Sequence, residues 1–291
     1  MAGSGSKSNQ PVHPAALEGF STQAPAYSRG RPDYPPALSA WLTQGLGLCA
    51  GKSAVDLGAG TGKFTPLLAQ TGAHVIAIEP VEAMRLQLLR SMPDIAAVAA
   101  TAQSLPLAGA SVDAVVCAQA FHWFANRPAL QEIARVLRPG GKLGLVWNVR
   151  DESVDWVAAI SAIIAPYGGD TPRFHSGEWR RLFPNELFSP LQESVLGYQH
   201  RGSAQAVILE RVLSVSFIGA LPERERAQVA AKLEALIASH PQLKDRPVIA
   251  FPYLTRAYCS TRCSTRYSTA MPCEPEPVGN GEPIAVSAPV I

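Results

Sequence analysis

The sequence predicts an α/β fold in which helices cover both faces of a mostly parallel sheet. Three observations predict it. From Ser53 to Trp147, short apolar runs alternate with segments of helical periodicity, the pattern of buried strands joined by crossover helices. The first run leads directly into Val55-Asp-Leu-Gly-Ala-Gly-Thr-Gly-Lys-Phe64, a strand, a glycine loop and the start of a helix. At 291 residues the chain suits one large domain with an elaboration better than two small domains.

Residues 1–16 are small, polar and proline-punctuated, which predicts a disordered tail. Residues 17–48 gather aromatics and guanidinium groups in Phe20, Tyr27, Arg29, Arg31 and Tyr34 before a short helix around Leu38, Trp41 and Leu42. This segment is either a strap packed on the domain or a lid over its site. A core over residues 49–149 follows, with strands expected at Ser53 to Leu57, His74 to Ile78, Ile95 to Ala99, Val112 to Ala118 and Leu143 to Trp147. Helices are expected from Phe64, over Val81 to Arg90 and over Ala129 to Leu137, the last stopped by Pro139 and Gly140. Asp113, at the start of its strand, is expected to pin a turn away from the ligand face. Residues 150–189 read as an irregular insertion with helical pieces at Ser153 to Ala165 and Glu178 to Leu182, placed to roof a substrate pocket. Residues 190–260 add a strand from Leu191 to Gln199, helical stretches Ala204 to Phe217 and Glu223 to Ser239, and a last strand from Pro247 to Tyr258. The second helix carries a stripe of Val229, Leu233, Leu236 and Ile237. Residues 261–291, in which Cys-Ser-Thr-Arg repeats and prolines take over, read as a second disordered tail.

Glycines at positions 58, 60 and 62 permit positive φ and let a ligand approach backbone N–H groups. The turn also aims a helix N-terminus at a carboxylate or phosphate. A dinucleotide fingerprint needs a third glycine three positions after its second, and here Lys63 stands there. Asp56 puts a carboxylate where an ammonium group can meet it. Glu79, at the end of the second strand, can accept hydrogen bonds from both hydroxyls of a ribose, or simply begin the next helix as an acidic first-turn residue. Ligands of open parallel sheets lie beyond the carboxyl ends of the strands near the switch in strand order, so the segment Gln119 to Phe124 should border the reacting group.

A net charge of +2 without a basic tract argues against a nucleic-acid partner. Five cysteines form neither an even disulfide framework nor a Cys-x-x-Cys pair, Cys117 reads as buried filler, and no His/Cys/Asp cluster has metal-ligand spacing. No apolar run reaches the ~18 residues of a membrane span and no signal peptide is visible. The expectation is a cytoplasmic protein with no metal and no membrane partner.

Asp56-x-Gly-x-Gly-x-Gly62 after a strand resembles motif I of the class I S-adenosylmethionine-dependent methyltransferases. Leu137-Arg-Pro-Gly-Gly-Lys142 before a strand resembles the methyltransferase type 11 group, and Tyr27-x-x-x-Arg31-Pro-x-Tyr34-Pro resembles the leader of small-molecule methyltransferases similar to trans-aconitate methyltransferase. The resemblance, spanning about Tyr27 to Tyr258, implies a Rossmann-like seven-stranded sheet whose last strand is antiparallel and pairs with the Leu191 segment. It implies S-adenosylmethionine as cofactor, bound by Asp56, Gly58, Gly60, Thr61, Gly62, Glu79, Pro80, Ala102, Gln103 and Gln119. Gln103 stands where relatives carry an acid for the adenine amino group. Its amide oxygen can accept that bond, or it is a plain loop residue. Met84 sits beside the adenine or in the core.

Catalysis is assigned to His122, Trp123, Tyr27 and Arg31. The faces of Phe121, Trp123 and Tyr27 can hold a sulfonium. His122 can take a proton from a hydroxyl or amine, or orient an organic acid whose charge Arg29 or Arg31 neutralises, or merely plug the sheet edge. The implied activity is methyl transfer to a small-molecule acceptor, with O-methylation of an organic acid or hydroxyl favoured. The alternatives are C- or N-methylation of a quinone or secondary metabolite, or a non-catalytic S-adenosylmethionine-binding protein. Gln119-Ala-Phe-His122 differs from the Asn/Asp-Pro-Pro-Tyr of nucleic-acid amino-group enzymes. The acceptor and the oligomeric state are not indicated.

Overall fold

The computed structural model describes residues 31–263, so the expectations for Tyr27, Arg29 and the two tails before residue 31 and after residue 263 lie outside the described residues. Seven strands make one sheet: β1 (Ser53–Leu57), β2 (His74–Ile78), β3 (Ala96–Val98), β4 (Val112–Ala118), β5 (Leu137–Arg150), β6 (Gln192–Gly202) and β7 (Ile249–Thr261). Their order is β3-β2-β1-β4-β5-β7-β6. The first five run parallel; β7 lies antiparallel between β5 and β6, which is the expected hairpin. After β3 the chain crosses back over β1 to β4, so a crevice opens beyond the carboxyl ends of β1 and β4.

Both faces are covered. On one face α1 (Leu38–Ala40), continued by a π-helical turn (Trp41–Gly45), packs Leu38, Leu42 and Leu46 with Leu68 of α2 (Thr65–Ala69) against Ala54, Val116 and Val146. Leu38, Leu42, Leu46 and Leu48, at the C-terminal end of the segment read as a strap or lid, are therefore core. A third helix, α3 (Glu82–Ser91), sets Leu88 against Ala59 and Ala77. On the other face α4 (Arg127–Val136) buries Leu130, Ile133 and Val136. Asn126 caps it by accepting from the N–H of Ala129 at 2.9 Å. The roof adds α5 (Asp155–Ile164) and 3-10 turns at Phe174–Ser176 and Glu178–Leu182. A separate cluster joins α5 to Phe251 and Tyr253 of β7, to the π-helical turn Gln205–Glu210, and to Val229 and Leu233 of a long helix over Glu223–Ser239.

Most other boundaries shift by one to three residues, and three differences from the sequence reading are larger or change an element's kind. β5 extends well past the expected Leu143 to Trp147, because Leu137 already pairs with Val112 and a register shift next to it absorbs Arg138-Pro-Gly-Gly. The expected helix Ala204 to Phe217 is broken into a π-helical turn and two short helices (Arg211–Leu213 and Ser216–Gly219). Thr261 is the last residue of β7, and the two residues after it are tied to the domain: Arg262 N–H donates to Gly141 O at 2.8 Å and Cys263 N–H to Leu187 O at 2.9 Å. Asp113 lies at the end of the sheet remote from the crevice, accepting from the N–H of Ser53 at 2.9 Å and from Lys52 and Arg138.

Candidate active site

The glycine loop folds back on the tip of β2. The N–H groups of Gly58 and Ala59 donate to Ile78 O at 2.8 and 3.1 Å. Gly58 has φ +72°, and a Cβ there would stand 2.7 Å from that of Ala120. Gly62 has φ +83° and a virtual Cβ 2.8 Å from Leu88 Cγ, so it seats the loop on α3 and does not line the cleft. Glu79, only 6% exposed, accepts from Gly60 N–H through Oε2 and from Val81 N–H through Oε1, both at 2.8 Å. Burial raises its pKa, although these two N–H groups and Arg85 oppose the rise.

Three buried side-chain oxygens lining this cleft have no hydrogen-bond partner among the described residues: Asp56 Oδ1, Thr61 Oγ1 and Gln103 Oε1. Buried polar atoms are rarely left so, and those here call for a ligand rich in donors. S-adenosylmethionine fits that demand, with an ammonium group, two ribose hydroxyls and an adenine amino group. Asp56 is fully buried, accepts from Thr65 Oγ1 at 2.7 Å, and is pushed up to about 7, chiefly by burial and further by Glu79. Pro80, Met84 and Ala102 complete the apolar wall where a base would lie.

A second cavity adjoins the first, and Arg31, Gln119 and Trp123 line both. Gln119 holds φ +59° at the end of β4, a left-handed conformation costly for a side-chain-bearing residue, while its N–H donates to Val146 O at 2.7 Å. The second cavity is lined by four arginines, Arg31, Arg150, Arg173 and Arg211, and by no carboxylate among the described residues. His122 lines it too, and its Nδ1 accepts from Trp147 Nε1 at 3.0 Å. Burial first, then the charge of Arg31, lowers the His122 pKa to about 3, so its imidazole is neutral.

The strap that carries Arg31 is held from both sides. Lys63 donates to Arg31 O and to Asp33 Oδ1, each at 2.8 Å. Asn148 Nδ2 donates to Asp33 O at 3.0 Å, and Thr255 Oγ1 donates to Asn148 Oδ1 at 2.6 Å.

Of the residues singled out in the sequence, Asp56, Gly58, Gly60, Thr61, Glu79, Pro80, Ala102, Gln103, Gln119, Trp123 and Arg31 line the first cavity; His122 lines the second and not the first. Phe121 is not an aromatic of the site: it is fully buried in the α4 core, because the 3-10 turn Phe121–Trp123 swings it inward and leaves Trp123 and Phe124 on the cleft. Sequence reasoning missed Lys63, Asn148, Arg150, Arg173 and Arg211. Arg150 ends β5 at the ligand edge, where the strand-tip rule finds it; Arg173 and Arg211 carried no local signal.

A sheet that ends in an antiparallel hairpin, with its glycine loop answering a strand-tip acid, defines the class I methyltransferase fold. The family model of a methyltransferase domain matches residues 55–145. An uncharacterised methyltransferase-like protein of Schizosaccharomyces pombe is 37% identical over 84% of this chain and 96% of its own. An uncharacterised methyltransferase of Mycobacterium tuberculosis is 39% identical over 81% of this chain and 92% of its own. A structure from Anaeromyxobacter dehalogenans, a candidate type II methyltransferase, superposes with a TM-score of 0.57 at 28% identity, covering 80% of this chain and 96% of that one. The chain therefore belongs to the class I S-adenosylmethionine-dependent methyltransferases, type 11 group.

Proposed function

We propose that the protein methylates an oxygen of a small organic molecule, an organic acid or a hydroxyl compound, using S-adenosylmethionine. The observation that carries this reading is the meeting of a donor-hungry cleft and an arginine-lined cavity at Arg31, Gln119 and Trp123. Bound over the glycine loop, S-adenosylmethionine supplies an electrophilic methyl group.

The chain's own residues do the rest. Asp56 and Thr61 would take the amino-acid end, Glu79 the ribose and Gln103 the adenine amino group. The indole of Trp123 offers a face to positive charge, a contact of ~0.5–2 kcal/mol. Transfer to oxygen chiefly demands alignment and exclusion of water, and well-oriented reactants gain ~7–11 kcal/mol toward the barrier. Arg31 and the neighbouring guanidinium groups favour an acidic acceptor, and the small net charge of +2 favours a small molecule over nucleic acid. The free thiols of Cys49, Cys117 and Cys259, among the described residues, suit a reducing cytoplasm. Among the described residues no helix is long and apolar enough to cross a membrane.

The experiment is incubation with methyl-labelled cofactor and fractionated metabolites. Label is expected in an acidic small-molecule fraction, as a product less negatively charged than its precursor. Transfer to no fraction, with cofactor affinity intact, would leave a non-catalytic binding protein.

A further inference from the structure

The hydrogen bond between Trp147 and His122 fixes which nitrogen of the imidazole carries a proton. An indole N–H can only donate, so the Nδ1 it reaches at 3.0 Å is the bare nitrogen, and the neutral ring keeps its proton on Nε2. Trp147 has no freedom to offer anything else. It is 1% exposed, with its ring 4.5 Å from Trp179, 5.2 Å from Phe174 and 5.9 Å from Tyr258. A general base must present a bare nitrogen to the proton it removes, and here the bare nitrogen is committed to the core.

The charges facing His122 agree. Arg31 comes from the strap, Arg150 from β5, Arg173 and His175 from the roof, and Arg211 and Tyr253 from the C-terminal part. Three carboxylates stand close by without lining this cavity: Glu152 acts on Arg150 and His175, and Asp170 and Glu178 line an adjoining groove that His122 also borders.

We infer that Trp147 is a positioning residue that holds His122 as a hydrogen-bond donor, and that the acceptor is a carboxylate bearing at least one further anionic group. This rests on the methyl-transfer reading above. It decides between the two acceptor classes, since a hydroxyl or amine has to lose a proton and a carboxylate does not. The carboxylate oxygen forms the new O–C bond while the C–S bond breaks and leaves its electron pair on sulfur. The acceptor releases no proton, and ester and thioether both end uncharged at the reacting groups. Nε2–H donates to the carboxylate, and Arg150 and Arg173 neutralise the second anionic group.

The test is calorimetric titration of propane-1,2,3-tricarboxylate, and of its trimethyl ester, into protein saturated with S-adenosylhomocysteine, together with nitrogen-15 NMR of labelled histidine. The acid is expected to bind and the ester not to. The NMR spectrum of His122, assigned by its loss in the variants below, is expected to show a protonated Nε2 and a bare Nδ1 from pH 5 to 8. His122→Ala should weaken acid binding about tenfold or more, the loss of one hydrogen bond to a charged group. His122→Asn, which can donate but takes no proton near neutrality, should restore most of it and most of the turnover. A proton on Nδ1, or His122→Asn as impaired in turnover as His122→Ala, would overturn the donor role. Acids that fail to bind beside a normally bound S-adenosylhomocysteine would overturn the acceptor class alone, whereas failure of S-adenosylhomocysteine itself to bind would overturn the methyltransferase reading beneath it.

Discussion

The N–H of Gly60 donates to Oε2 of Glu79 at 2.8 Å, so the glycine loop and the tip of β2 are one unit before any ligand arrives. Glu79 holds Val81 with its other oxygen, and the residue lines the cleft. A ligand bound by this acid meets a loop already shaped for it, which lowers the ordering cost of binding.

Replacing Glu79 with Ala should therefore do two things. The dissociation constant of S-adenosylhomocysteine is expected to rise about 10- to 100-fold, the loss of hydrogen bonds to a charged acceptor. The fold should lose ~1–3 kcal/mol as the N–H groups of Gly60 and Val81 are left unpaired. Calorimetry and denaturant melts measure the two separately, and Glu79→Gln should recover part of each. An unchanged dissociation constant would remove Glu79 from the cofactor site.

The loop glycines should divide by role. In Gly62→Ala the new Cβ meets Leu88 at 2.8 Å in a left-handed conformation. The cost to stability is about 1–2 kcal/mol for the backbone and ~1–3 kcal/mol for overpacking. At Gly60 the nearest atom to a new Cβ is Met84 Sδ at 3.7 Å, so Gly60→Ala should cost only the backbone term and show its main effect in cofactor affinity. Equal losses of stability in the two variants would contradict this division.

Asp56 gives the stability a sign with pH. Burial foremost, and Glu79 after it, raise its folded pKa from 3.8 to about 7, against the hydrogen bond from Thr65. The folded state then holds the proton more tightly than the unfolded chain. Between about pH 4 and pH 7 unfolding releases a proton, so this contribution falls as pH rises and levels off above 7. The loss is on the order of a few kcal/mol, at ~1.4 kcal/mol per unit of pKa. Glu79 is raised as well and adds a slope of the same sign. Asp56→Asn should flatten much of the decline and be more stable than the parent at pH 8. Urea melts at pH 5, 6, 7 and 8 read this directly, and identical slopes in the two proteins would show that Asp56 ionises normally.

Lys63 should matter to the acceptor more than to the fold. Its ion pair with Asp33 joins a partly buried amine to an exposed carboxylate, an arrangement worth ~0–1 kcal/mol. Its bond to the carbonyl of Arg31, however, sets where that guanidinium enters both cavities. Lys63→Met is expected to raise the KM for the acceptor severalfold with melting little changed, while Asp33→Ala leaves KM nearly untouched. A large fall in stability in Lys63→Met would instead make the strap a structural element.

The sheet was legible because each core strand is an apolar run closed by glycine, proline or charge. β1, β2 and β4 accordingly begin and end where the sequence predicts. The glycine loop and Glu79 were legible because one strand and one turn set their spacing. The arginine-lined cavity was not, since Arg31, Arg150, Arg173 and Arg211 come from four separate segments that only the completed fold brings together. Likewise nothing local distinguishes Phe121 from Phe124: a three-residue 3-10 turn decides which ring goes to the core. The partnership of Trp147 with His122 spans two neighbouring strand ends, and burial of the indole could be read from the sequence without revealing what its N–H would meet.

The most direct measurement is a crystal structure of the protein grown with S-adenosylhomocysteine. The expected result has both ribose hydroxyls on the carboxylate of Glu79, the amino-acid end over Gly58 to Gly60, and the sulfur facing the junction of Arg31, Gln119 and Trp123. A nucleoside bound elsewhere, or a sugar out of reach of Glu79, would contradict the assignment of this cleft to the cofactor.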